Sequence, residues 1–74
     1  MKNNIKIGKN IMRARNNQAL TQKMLSNKLT ELNVPLCRGT ISRIENDARI
    51  IKDIHLKALA KALNVEADYF YDKE

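Results

Sequence analysis

The segment Arg38-Gly-Thr-Ile-Ser-Arg-Ile-Glu-Asn46 holds the densest set of groups able to read another molecule. Wound at about 100° per residue, it places Ile41, Ile44 and Glu45 on one side. Gly39, Ser42, Arg43 and Asn46 fall on the other, with Arg38 and Thr40 at the edges. The second side has no bulky apolar group, one fixed cation and several small hydrogen-bonding groups. A guanidinium fork matches O6 and N7 of guanine, and hydroxyls and amides match other base edges or phosphate oxygens. Such a face, held out from a core by isoleucines, suits a helix lying in the major groove of duplex DNA.

Bond-breaking chemistry has no comparable support. The chain shows no glycine-rich phosphate loop, no Cys/His or Ser/His/Asp constellation and no cluster of metal ligands. The expectation is therefore no enzyme, no catalytic residue, no metal and no cofactor. Cys37 is the single cysteine, so no disulfide forms within the chain, which suits a reducing cytoplasm. The three aromatic residues, Tyr69, Phe70 and Tyr71, lie far from the basic half, which argues against a stacking platform for single strands.

Charge supports a polyanion on one side only. The 74 residues carry 14 Lys and Arg against 8 Asp and Glu, a net charge of +6. Residues 1–44 hold nine bases and one acid, a balance of +8, and residues 45–74 hold five bases and seven acids, a balance of −2. A basic face of this kind draws a polyanion such as DNA. The plainer alternative is a basic domain whose lysines are simply solvated. No long apolar run suggests a membrane span, and Met1-Lys-Asn-Asn-Ile-Lys-Ile7 lacks the apolar stretch of a secretory signal.

The elements that must position the reading face follow from periodicity. Ile7, Ile11 and Ala14 form the stripe of a first helix over about 5–17. Thr21 is a good N-cap for a second, with Leu20 and Leu25 at the positions of a hydrophobic staple and Leu25, Leu29 and Leu32 as its buried stripe. Asn33 can end that helix, and Pro35 bars simple continuation. The third helix starts after Cys37, with Leu36 and Ile41 repeating the staple, and Asn46-Asp47 favour a left-handed exit. Asp53 caps a fourth helix whose stripe is Leu56, Leu59, Ala60 and Leu63, with Asn64 ending it. A short fifth helix spans about 66–71. The expected architecture is all-α, a five-helix bundle in one domain over 1–74, with a core of about 5–71 and a tight turn joining helices 2 and 3.

Three blocks, in order, carry a resemblance: Leu20-Thr-Gln-Lys-Met-Leu-Ser26, Gly39-Thr-Ile-Ser-Arg-Ile-Glu-Asn46 and Leu56-Lys-Ala-Leu-Ala-Lys-Ala-Leu-Asn-Val65. Together with Ile7-Gly8, Ile11 and Arg15, they make the chain similar to the Xre family of helix-turn-helix DNA-binding domains, the lambda-repressor-like fold. The resemblance implies that Gln22 contacts a phosphate and supports helix 3. It also implies that Arg38, Gly39, Thr40 and Arg43 face base edges or backbone, that Asn46 lies just past helix 3 and donates to a phosphate, and that Arg15 and Glu45 form an internal ion pair. Burial of Glu45 beside the isoleucines would independently demand a partner. The chain departs from the family pattern at several points. The segment between Gln22 and Ile41 is longer, Ser26 stands for alanine and must find a hydrogen bond, and Asp47 stands for glycine. Ala19 also stands for glycine, where it must avoid or tolerate positive φ.

Several assignments stay open at this level. Arg43 reads guanine or touches a phosphate, and Arg38 does either. Gln22 is a backbone contact or a bystander. Cys37 is a thiol switch or a small capping residue, and His55 is a surface or partner-facing side chain. Tyr69, Phe70 and Tyr71 line a dimer seam or close the core. The reading as a whole is a cytoplasmic, nucleoid-associated regulator of bacterial or phage type. It would bind double-stranded DNA as a homodimer, as a repressor on a palindromic operator, with no membrane and no small-molecule substrate. The alternative is a protein-interaction module on the same fold, an antitoxin-like or adaptor partner, using Ile50, Ile51, Tyr69 and Tyr71.

Overall fold

Thr21 starts the second helix as its chemistry predicts: its hydroxyl oxygen accepts the Met24 N–H at 3.0 Å, in a computed structural model that describes residues 7–47 and 51–71. Four α-helices are present, α1 (Ile7–Asn17), α2 (Gln22–Glu31), α3 (Arg38–Asp47) and α4 (Asp53–Ala62), followed by a 3₁₀ helix (Ala67–Tyr71). There is no strand among the described residues. The expected start of helix 1 near residue 5 and the loop residues 48–50 lie outside them.

Three helices end by one device. Ala19, Asn33 and Asn64 adopt φ of 57°, 65° and 58°. In each case the next residue's N–H reaches back five positions: Leu20 to Arg15 O at 3.1 Å, Val34 to Leu29 O at 3.0 Å and Val65 to Ala60 O at 3.0 Å. This is the Schellman arrangement, which satisfies carbonyls that the helix leaves unpaired. The apolar residue that follows each left-handed turn, Leu20, Val34 or Val65, then packs against the core. Asparagine tolerates that backbone; alanine at position 19 does so at a cost.

Two boundaries differ from expectation. Asp53 is not the cap of α4 but its first residue, and Lys52 stands at the N-cap without a side-chain hydrogen bond. The Asp53 carboxylate instead sits where the helix dipole favours an anion and meets Lys57 at 3.4 Å on the surface. Asn46 and Asp47 do not leave α3; both are helical, so Asn46 occupies the last turn rather than a position past it. The fifth helix is the tighter 3₁₀ form, not an α-helix.

The core is contributed by all five elements. Ile11, Leu25, Leu29, Ile41, Leu59, Leu63 and Phe70 are fully enclosed. α1 packs on α3 and on the 3₁₀ helix, and α2 packs on α3 and α4. Phe70 therefore closes the core, with Tyr69 edge-on against it at 5.9 Å and Tyr71 left exposed. Nothing in the apolar spacing of α1 marks Asn10. It is buried in α1, and its Nδ2 donates to the Phe70 carbonyl oxygen at 3.0 Å, tying the first helix to the last. Gln18 ties the end of α1 to α4 in the same way, its Nε2 donating to the Leu63 carbonyl oxygen.

Candidate nucleic-acid interface

The orientation of α3 is fixed from behind. Ile41 is fully buried, and Glu45, next on the same side, is 5 % exposed. Its carboxylate accepts from Arg15 Nε at 2.7 Å and Nη2 at 3.1 Å, while Arg15 Nη1 donates to the Leu20 carbonyl oxygen at 2.7 Å. Gln22 Nε2 donates to the same carboxylate at 3.1 Å. One buried acid thus joins α1, the start of α2 and the end of α3. Charge-assisted bonds of this length hold a geometry far more firmly than an exposed pair does.

Close packing adds a second constraint. A Cβ on Gly8 would collide with the Ile44 carbonyl oxygen and lie 3.0 Å from that of Glu45. α1 therefore presses its backbone against the last turns of α3 at a point where only glycine fits. The turn between α2 and α3 is held by Ser26, which donates to the Leu36 carbonyl oxygen at 2.6 Å, the hydrogen bond its hydroxyl required. Leu36 is buried in front of α3, and the Ile41 N–H reaches Cys37 O at 3.0 Å as the first bond of the helix.

The opposite side of α3 faces solvent. Arg38, Gly39, Arg43 and Asn46 are exposed, and Thr40 and Ser42 are half-buried at its margins. Among the described residues, neither Arg38 nor Arg43 makes a hydrogen bond or ion pair, so both guanidinium groups are unengaged. Asn46 is folded back on its own helix, its Nδ2 donating to the Ser42 carbonyl oxygen at 2.9 Å. That bond uses one amide hydrogen, so Asn46 meets a phosphate through the second or by leaving the bond. Gln22 is half-buried with one amide hydrogen committed to Glu45, so its support of α3 is direct.

Thr40 and Cys37 form a pair at the start of the helix, Oγ1 to Sγ at 3.2 Å. The Thr40 hydroxyl, and after it the backbone N–H of Thr40, hold the exposed Cys37 thiol below its ordinary range. No group of His, Cys, Asp and Glu among the described residues could hold a metal ion. No helix among them is long and apolar enough to cross a membrane.

Comparison with known proteins agrees with the fold. A family model described as helix-turn-helix matches residues 11–70. No curated protein sequence is similar enough to match. Among solved structures, the restriction-modification controller protein C.AhdI from Aeromonas hydrophila aligns with a TM-score of 0.77 at 22% identity, covering 90% of each chain. At that identity the likeness is one of fold.

Proposed function

The chain belongs to this helix-turn-helix family of DNA-binding regulators, and we propose that it is a sequence-specific regulator of transcription that inserts α3 into the major groove of double-stranded DNA. The observation that carries this reading is the division of α3. One side is locked through Glu45 to Arg15 and Gln22. The other presents Arg38, Gly39, Thr40, Ser42, Arg43 and Asn46 on a frame that does not need them for packing. Arg43, central and unengaged, reads guanine; Arg38, Gln22 and Asn46 meet phosphates at the margins. The protein acts as a homodimer on a palindromic operator, as a repressor that blocks polymerase, in the cytoplasm of a bacterial or phage-infected cell. The structural neighbour, a restriction-modification controller protein, suits a regulatory role.

Selection of bound sequences from random duplex DNA tests this directly. The expected product is a palindrome with half-sites about 10–10.5 base pairs apart, or a multiple of that spacing. Affinity should fall steeply with salt, since each neutralised phosphate releases counterions. A featureless pool, or binding insensitive to salt, defeats the reading.

A protein-interaction module remains the second reading, because the acidic half carries exposed apolar surface. Ile54 adds to the contacts that the sequence suggests. Ile51 and Tyr69 are half-buried against the core, and Ile50 lies outside the described residues. Ile54 is 61% exposed beside a groove lined by Leu32, Val34 and Ala58 and rimmed by Lys57 and Lys61. Tyr71 is 45% exposed. If this reading holds, Ile54→Asp or Tyr71→Ala abolishes function while Arg43→Ala is silent.

A further inference from the structure

The chain has two glycines, and the fold accounts for only one of them. Gly8 is obligatory, since a side chain there would strike the backbone of α3 at Ile44. Gly39 is under no such constraint. It is exposed, its φ is not positive, and the nearest neighbour a Cβ would meet is Cys37 Sγ at 4.0 Å. Neither packing nor conformation calls for glycine at this point. Glycine nevertheless weakens a helix, because its unfolded backbone has more freedom to lose. Its position is the informative part: the second residue of α3, one turn before Arg43 and on the same open face.

We propose that Gly39 is a positioning residue for duplex DNA. The missing side chain lets the first turn of α3 come into van der Waals contact with the duplex, closer than a Cβ permits, and this approach sets the depth at which Arg43 enters the groove. The inference rests on the DNA-binding reading above and goes beyond it. It assigns a role to a residue with no recognition group, and it predicts that stability and binding respond to one substitution in opposite directions.

The test uses the full chain, Gly39→Ala and Gly39→Leu. Thermal unfolding is followed by circular dichroism, and affinity is measured by fluorescence anisotropy on the sequence selected by the unsubstituted chain. Gly39→Ala should unfold roughly 2–8 °C higher and bind about tenfold more weakly or worse, the loss of one good groove contact. Gly39→Leu should bind more weakly again. Affinity of Gly39→Ala within about twofold of the unsubstituted chain overturns the inference while leaving DNA binding intact. A lower unfolding temperature for Gly39→Ala also overturns it, because the open space around position 39 would then be wrong. If the unsubstituted chain selects no sequence, the DNA-binding reading fails and takes this inference with it.

Discussion

Arg15 and Glu45, thirty positions apart, meet at two points, with Arg15 Nε 2.7 Å from Oε2 and Nη2 3.1 Å from Oε1 of the Glu45 carboxylate. The side chains are only 11% and 1% exposed, so the Glu45 carboxylate has no water as a substitute partner. Removing one member of a buried pair costs about 3–5 kcal/mol, mostly as the penalty on the charge left behind. In a domain of this size, Arg15→Ala should therefore lower the unfolding temperature by at least about 12 °C. Differential scanning calorimetry checks it; a fall of only a few degrees would show that Gln22 alone satisfies Glu45.

Gly8→Ala should destabilise by about 1–3 kcal/mol, as overpacking does, because α1 must retreat from the Ile44 carbonyl oxygen. Urea unfolding measures this. The sign is opposite to that expected for the same substitution at Gly39, so the two variants form an internal control.

Ala19→Gly should stabilise by up to about 1 kcal/mol. Alanine at φ 57° carries the left-handed penalty, and glycine removes it at some cost in backbone entropy. The Leu20 N–H to Arg15 O bond stays in place, so the gain should appear as a higher urea midpoint at unchanged slope.

Arg43→Ala should leave the unfolding temperature within about 4 °C of the unsubstituted chain, because the residue is exposed and packs against nothing essential. Binding to the selected operator should weaken by about 1–3 kcal/mol, and base preference at one position of each half-site should relax. A uniform loss across all sequences, with a salt slope shallower by about one, would place Arg43 on a phosphate instead.

The Cys37 thiol should react with iodoacetamide at lower pH than an ordinary cysteine. The Thr40 hydroxyl donates to the thiolate, which favours the charged form and lowers the pKa. Thr40→Val removes that donor and should move the midpoint of the rate-against-pH curve upward. An unchanged midpoint would assign the effect to the backbone N–H groups at the helix start.

Much of the fold was legible because it obeys local rules. The apolar periods of Ile7, Ile11 and Ala14 and of Leu25 and Leu29 mark the buried sides of α1 and α2, and Thr21, Asn33 and Asn64 punctuate the chain as their side chains dictate. The failures are also local in origin. Asp53 suits either the cap or the first turn of a helix, and spacing alone does not separate the two. Asn46-Asp47 permits a left-handed exit without requiring one, and the helix runs through both.

By itself, then, the sequence determined the four α-helices and the two-sidedness of the segment from Arg38 to Asn46, because both depend on residues a turn or two apart, and the single cationic half, which is a matter of composition alone. Resemblance pointed to Arg15 and Glu45 as partners; only the tertiary structure decided how that acid is held, with Gln22 as its further donor. The same holds for Asn10 beneath Phe70 and for Gly8 against Ile44. These contacts depend on where helices cross, and crossing geometry leaves no mark in the spacing of residues along one helix. It also separates the two glycines, which look alike in the sequence: one is enclosed by backbone, and the other lies open on the solvent-facing side of α3.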